Sequence, residues 1–394
     1  MQISSESIKV GHPDVVADII AANVIAAILD EEKKMKPGLT LHNMPHCGLE
    51  VFLGKGICLV GGEVRTRVYV DIDKVARECV VALGYTDAAV GLNGNSMGVL
   101  NAIIPQSPDI NLGTAMDLNK KHEIGAGDQG IMYGFACNET PELLPLPYVL
   151  VSRLMRAFET TGDPVFAPDG KGQVSVEYDD KTGKPVRLAK VLMSNAIDYR
   201  YVKKAERGKI KEKAQKIAFA CLKEWVDKKT EFLFNPTGEW QAVNSCGAAD
   251  SGVTGRKLVV QFYGGYPGAQ MGGGAVVNKS PEKVDCSAAF GARYVAKNVV
   301  AAGLAEKCSV QLAYAIGVAK PFSIYVNTFG TGRLSDRKLE KTIEKLFDLT
   351  PAGMIEKFDL LNSDIYRKIP VTLFLDDYRW EKTDMVKKLQ AAVK

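Results

Sequence analysis

The densest chemistry in this sequence lies at residues 272–285, Gly-Gly-Gly-Ala-Val-Val-Asn-Lys-Ser-Pro-Glu-Lys-Val-Asp. Glycines let backbone N–H groups come close to anionic oxygens. Lys279 and Lys283, at i and i+4, put two cations on one side, and Asp285 offers a hard oxygen ligand for a divalent metal. The run therefore reads as a clamp for a polyphosphate and its metal. It is not a P-loop, because Asn278 stands where that motif needs glycine and no strand feeds it. The plain alternative is a solvated surface loop.

Two further glycine-flanked acids have the same character. Gly125-Ala126-Gly127-Asp128-Gln129-Gly130 formally fits the dinucleotide fingerprint GxGxxG, but the preceding Asn119-Lys120-Lys121-His122-Glu123 is no buried strand. A loop that aims Asp128 at a ligand is the better reading. Asp250-Ser251-Gly252-Val253-Thr254-Gly255-Arg256-Lys257 pairs an acid with adjacent cations ahead of an apolar run read as a strand; the alternative is a turn whose cations meet solvent. His42, His46 and Cys47 have ligand-like spacing without a second cluster to close a zinc site.

These groups need elements to hold them. His12-Pro13-Asp14 introduces a helix over Val15–Leu29, with apolar residues at Val16, Ile19, Ile20, Val24, Ala27 and Ile28. Strands are expected at Leu49–Leu53 and Ile57–Val70, turning at Gly54-Lys55-Gly56, and at Gln173–Tyr178, Val186–Met193, Lys257–Phe262, Val310–Val318 and Ser323–Thr328. Helices are expected at Lys74–Leu83, Glu142–Thr160, Lys209–Val226, Val284–Ala302 and Ser335–Phe347. The alternation suggests three α+β units within 394 residues, although residue identity demonstrates no repeat.

Composition narrows the partners. Lys+Arg of 50 against Asp+Glu of 46 is a formal net charge of +4, too weak and dispersed to argue for nucleic acid, so small anions are the better candidates. No apolar run reaches membrane-spanning length, and the start of the chain does not read as a secretory signal. The eight scattered cysteines, with no CxxC pair, suit reduced thiols and a cytoplasmic location.

In order along the chain, the motifs resemble the S-adenosylmethionine synthetase (methionine adenosyltransferase) family. The likeness is carried by Ser5-Glu6-Ser7 with Gly11-His12-Pro13-Asp14, by Leu59-Val60-Gly61-Gly62-Glu63, by Gln106-Ser107-Pro108-Asp109-Ile110, and by Gly125 to Ala136. Asn235-Pro236-Thr237-Gly238, Thr254-Gly255-Arg256-Lys257, the triglycine clamp, Arg293 to Asn298, Tyr314 to Ala319 and Trp380-Glu381-Lys382-Thr383-Asp384 complete it. The resemblance implies three similar α+β domains in a pseudo-threefold arrangement, here 1–115, 120–243 and 244–394. It also implies a homodimer or dimer of dimers with shared active sites, and transfer of the adenosyl group of ATP to methionine.

The resemblance also assigns residues. Asp14 and Asp285 would bind Mg²⁺. His12, Lys171, Arg256, Lys257, Lys279 and Lys283 would hold the phosphates. Glu63, Gln106 and Asp128 match methionine-side positions, Asp169 a substrate-binding position, and Ile316 a pocket wall. Asp250 would lie beside the reacting centre, Trp240 would stack on adenine, and Glu50 matches the potassium ligand.

The chain departs from the family at Val10, Val15, Met271 and Val276, where an acid, a lysine, a histidine and a phenylalanine are usual. Val277 replaces a serine, Cys286 an arginine, Gln261 an aspartate and Lys320 a glutamate, and the loop Gln241–Ala249 is rewritten. Valine cannot coordinate a cation, so potassium is expected to be dispensable, with Lys320 neutralising Glu50 if it points inward; the alternative is a site completed by main-chain carbonyls. Two other readings stay open: a related transferase acting on a methionine analogue or another nucleotide, and a catalytically weak binding homologue.

Overall fold

The computed structural model describes residues 1–114, 123–370, 373–375 and 377–393. Its strands are β1 (Gln2–Ile8), β2 (His46–Gly54), β3 (Ile57–Arg65), β4 (Gly98–Pro105), β5 (Gly130–Cys137), β6 (Phe166–Tyr178), β7 (Pro185–Ile197), β8 (Glu231–Phe234), β9 (Gly252–Val253), β10 (Lys307–Tyr314) and β11 (Ser323–Asn327). The helices are α1 (Pro13–Lys34), α2 (Ile72–Ala82), α3 (Pro108–Thr114), α4 (Leu146–Glu159), α5 (Ile210–Cys221), α6 (Leu258–Phe262) and α7 (Val284–Ala301). A C-terminal group follows, α8 (Asp336–Leu346), α9 (Pro351–Phe358), α10 (Ser363–Lys368) and α11 (Val386–Ala392).

Among the described residues the strands form three sheets, ordered β1-β6-β7-β8, β4-β3-β2-β9 and β11-β10-β5. Each takes a strand from elsewhere in the chain. β1 pairs antiparallel with β6, Ile8 opposite Lys171; β5 pairs antiparallel with β10; β9 pairs with Phe52 and Leu53 of β2. The β2–β3 hairpin turns at Lys55-Gly56, where Gly56 adopts the left-handed conformation (φ 69°) that a tight turn asks of glycine.

The helices cover these sheets. α1 is buried on nearly every side against β2, α2 and α10, which is why its apolar residues form more than one stripe. α7 runs buried from Val284 to Val300 against β5 and β10. It is tied to the C-terminal segment by Arg293, fully buried, which meets Glu381 through two bonds of 2.9 and 2.8 Å while Lys297 adds a third at 2.7 Å.

The expected helices at Lys74–Leu83, Glu142–Thr160, Lys209–Val226, Val284–Ala302 and Ser335–Phe347 form as α2, α4, α5, α7 and α8. The expected strand at Lys257–Phe262 does not form: Leu258–Phe262 is helix α6. The strand lies earlier, at Gly252–Val253, and the chain turns at Gly255 (φ 74°) and stops at Gly264 and Gly265, both at positive φ. A short apolar run between glycines cannot be told from a buried helical turn by periodicity.

Candidate functional site

Helices α1 and α7 begin alike. In each, the second helical residue is an aspartate, Asp14 or Asp285, and a lysine from a neighbouring glycine-containing loop reaches it: Lys257 Nζ lies 2.5 Å from Asp14 and Lys279 Nζ 2.6 Å from Asp285. Carboxylates suit helix N-termini, and each here is held with a cation beside it.

The first group gathers around Asp14. Its Oδ1 accepts from the Val253 N–H at 2.8 Å, and Arg256 Nε stands 3.7 Å away with an exposed side chain. His12 is the N-cap of α1: its Nδ1 accepts from the Asp14 N–H at 3.2 Å. That bond places the ring proton on Nε2, a buried donor with no partner among the described residues. Burial, with Lys171 and Lys257 alongside, pushes His12 down to about 3, so the ring is neutral at ordinary pH. Lys171 stands exposed at the end of the β1–β6 pairing. Asp169, two residues before it, is buried with Oδ1 unpartnered among the described residues, and burial pushes it up to about 7, with Lys171 opposing the rise and Asp250 adding to it. Asp250 itself is exposed.

The second group sits on the loop before α7. Gly274 is indispensable there, since a Cβ would lie 2.2 Å from the Asp285 carboxylate. Lys283 leaves this pair and reaches the other way, donating to Glu63 Oε1 at 2.8 Å, while Gln106 Nε2 donates to the same oxygen at 3.2 Å. Burial alone would raise Glu63 and lower Lys283, yet their contact shifts each in favour of its charged form. Asp128, half-buried, accepts from the Gln129 N–H at 2.8 Å and acts on Lys283 by its charge. Its loop leads into β5 rather than out of a strand into a helix, against a dinucleotide fold; residues 119–122, used in that argument, lie outside the described residues.

Glu50 lies between the groups. Its Oε2 accepts from Thr254 Oγ1, on the turn that carries Arg256 and Lys257, and its Oε1 from Asn278 Nδ2 at 3.1 Å, next to Lys279. Lys320 does not point inward to it: it is exposed on a cavity of about 450 Å³ with Phe322, Arg337, Glu340 and Glu344. Ile316 is also exposed. Trp240 is half-buried, its indole N–H donating to Asn244 O at 2.8 Å.

Some functional neighbours were not legible as such. Asp18, one turn beyond Asp14 on α1, accepts from Gly255 N at 2.9 Å and Gln261 Nε2 at 2.8 Å, bracing the 254–257 turn. The i, i+4 spacing of two acids at a helix start was the available signal. Glu282, buried, accepts from Ser280 Oγ at 2.8 Å with His46 Nδ1 at 3.6 Å, fixing the loop between the two lysines. The departures Val10, Val15, Val276 and Cys286 mostly pack: Val15 joins Ile8 and Val260 in a small apolar cluster, and Val276 and Cys286 are fully buried.

Three family models match nearly the whole chain. They are the S-adenosylmethionine synthetase N-terminal domain over residues 1–108, central domain over 123–240 and C-terminal domain over 245–382. Among curated proteins, the chain is 43% identical to the S-adenosylmethionine synthase of Thermosynechococcus vestitus, covering 99% of this chain and 97% of that one. It is 41% identical to that of Helicobacter pylori (99% and 98% covered) and 42% identical to that of a Sulfurovum species (98% and 97%).

Proposed function

We infer the reaction from one premise: the chain belongs to the S-adenosylmethionine synthetase family, with that family's three α+β domains. It is a methionine adenosyltransferase that makes S-adenosylmethionine from ATP and methionine. The observation in the chain itself that supports this is the matched pair of lysine-tethered aspartates at the starts of α1 and α7.

The chemistry explains why no nucleophile-activating triad is needed. A thioether sulfur carries no proton, so it forms the S–C5′ bond directly as the C5′–O bond breaks and tripolyphosphate leaves, to be hydrolysed to phosphate and diphosphate. The barrier lies in the charge growing on the leaving oxygens and in holding sulfur and carbon in line. Lys171, Arg256, Lys257 and Lys279 would meet that charge, and the unpartnered Nε2–H of His12 would donate to a phosphate oxygen. The orphaned Asp169 Oδ1 needs a donor, which a ribose hydroxyl would supply. Asp250 would favour the developing sulfonium.

Glu63 and the unpartnered Gln106 Oε1 suit the methionine ammonium, with Asp128 nearby. Lys283 would then face the methionine carboxylate or the nearest phosphate oxygen. Asp14 and Asp285 fit Mg²⁺: both offer hard carboxylate oxygens, and Gly274, lacking a Cβ, lets the loop backbone lie against the Asp285 carboxylate. Among the described residues no three His, Cys, Asp or Glu side chains converge as a self-sufficient metal centre, so substrate oxygens would complete its shell. When bound, Mg²⁺ would neutralise phosphate charge.

Residues present do not fit potassium. A donor, the Asn278 amide nitrogen, sits between Glu50 Oε1 and Leu49 O where an ion would need open oxygens, and the buried Val277 side chain offers no oxygen.

A second copy of the chain would complete each site. Phe52, Leu59, Leu100 and Ile104 are exposed on one face of the β4-β3-β2 sheet, in register with Glu50 and Glu63 on that same face. An apolar sheet face carrying substrate-binding acids is suited to burial against a partner. Among the described residues no helix is long and apolar enough to cross a membrane. The free cysteines support a reducing, cytoplasmic setting. Incubating the purified chain with ATP, methionine and Mg²⁺ and detecting a sulfonium nucleoside by mass tests the reading; its absence would overturn it.

A further inference from the structure

Glu50 occupies a demanding position, standing on β2 between the turn that carries Arg256 and Lys257 and the loop that carries Lys279. A carboxylate fixed there ties two cation-bearing segments of one chain together. An alkali cation could do this only with several oxygen ligands around it. The structure places a hydrogen-bond donor among those oxygens instead.

Asn278 Nδ2 donates both to Glu50 Oε1 at 3.1 Å and to Leu49 O at 2.6 Å, which fixes the orientation of the amide. Thr254 Oγ1 donates to Glu50 Oε2 and accepts from the Val51 N–H at 3.2 Å. The adjoining main chain is tied together as well, with Leu49 N donating to Asn278 O at 2.9 Å and Thr254 N to Val51 O at 3.1 Å. Asn278 Oδ1 is left as a buried acceptor without a partner among the described residues, and one oxygen is too few to strip the water from a potassium ion. Val277 and Asn278 are both fully buried, so the amide is packed in place, and the exposed Glu50 meets it from β2.

We propose that the Asn278 amide is a built-in substitute for a monovalent cation: its N–H group bridges Glu50 and the Leu49 carbonyl, as a shared ion would, and renders the enzyme independent of potassium. The inference rests on the reading of Glu50 as a member of the adenosyltransferase site. Asn278, not Lys320, is the compensating residue.

The test uses the full chain in Tris chloride, with potassium chloride exchanged for tetramethylammonium chloride at constant ionic strength. Two readouts are taken, S-adenosylmethionine formation and the thermal unfolding midpoint, since a cation that binds the native state raises the midpoint whatever the activity. The wild-type protein is expected to change by less than about twofold in rate and to show no potassium-specific rise in midpoint. Asn278→Asp, which keeps the oxygen and removes the donor, is expected to lose about tenfold in rate without potassium and to recover rate and midpoint with it. Asn278→Ala serves the same purpose should two adjacent carboxylates prevent folding. A potassium-specific rise of about tenfold in wild-type rate, or of the wild-type midpoint, would overturn the proposal. So would full potassium-free activity in both variants. No product in any salt would instead strike the enzymatic reading, and the midpoint would still decide the cation question.

Discussion

Lys283 reaches across from the loop before α7 to Glu63 on β3, 2.8 Å away, while Lys279, four residues earlier on the same loop, takes Asp285 at 2.6 Å. The loop thus divides its two cations between different acids. A charge-assisted pair that is only partly exposed keeps both partners ionised and positioned before substrate arrives. The two lysines should therefore fail differently. Lys279→Ala is expected to reduce kcat by about thirtyfold or more, about 2–4 kcal/mol of lost stabilisation for a charge that grows in the transition state. Lys283→Ala and Glu63→Gln should act chiefly on the methionine KM. Steady-state kinetics with each substrate varied in turn check this, and indistinguishable profiles for Lys279→Ala and Lys283→Ala would remove the division.

The exposed sheet face yields a mixing experiment. If His12 of one copy and Lys279 of another serve one site, His12→Ala and Lys279→Ala chains are each expected to be weak, and a mixture should regain part of the activity. Dilution of the wild-type protein should inactivate it as the copies separate. Full activity in a fraction shown to be monomeric by light scattering would refute the shared site.

Trp240 offers a ring face and anchors its own edge through the bond from its indole N–H to Asn244 O, 2.8 Å long. A fixed aromatic ring reads a nucleobase by stacking rather than by hydrogen-bonding edges, so more than one purine triphosphate should be accepted. Trp240→Ala is expected to lose about 1 kcal/mol of ATP binding, about a fivefold rise in KM for ATP, with the methionine KM nearly unchanged. Equal rises for both substrates would assign the indole to packing alone.

Much of this was legible in the sequence because local rules carried it. The β2–β3 hairpin follows from Gly54-Lys55-Gly56 between strand-like runs, and α1 from the apolar periodicity that His12-Pro13-Asp14 opens. What was not legible is non-local. Nothing in Gln2–Ile8 announces that it pairs with a strand more than 160 residues later, opposite Lys171. Leu258–Phe262 was too short for its period to separate helix from strand. Asn278 was visible only as a glycine missing from a phosphate loop; its role depends on β2 passing beside it. Lys320 had the right charge in the wrong place.

Lys9 provides the pH test. It is buried where β1 runs towards His12, and its ammonium donates to Ala167 O at 2.6 Å and Asn195 Oδ1 at 3.0 Å, strapping β1 to the segment that carries Asp169 and Lys171. Burial pushes it down to about 8 against the opposing pull of Glu159 from α4 and Asp169 from β6. Between that value and the ordinary 10.5 the unfolded chain holds a proton that the folded chain has released. Stability from this group is therefore fully present above the unfolded value and is lost as pH falls through about 8. Lys9→Met removes the titration while keeping the length of the side chain. The wild-type minus Lys9→Met difference in unfolding free energy should accordingly rise, by at most about 3 kcal/mol, as the pH is raised across that window. Urea unfolding of both proteins at stepped pH measures it, and a difference that stays level or falls would show that Lys9 is not held below its ordinary range.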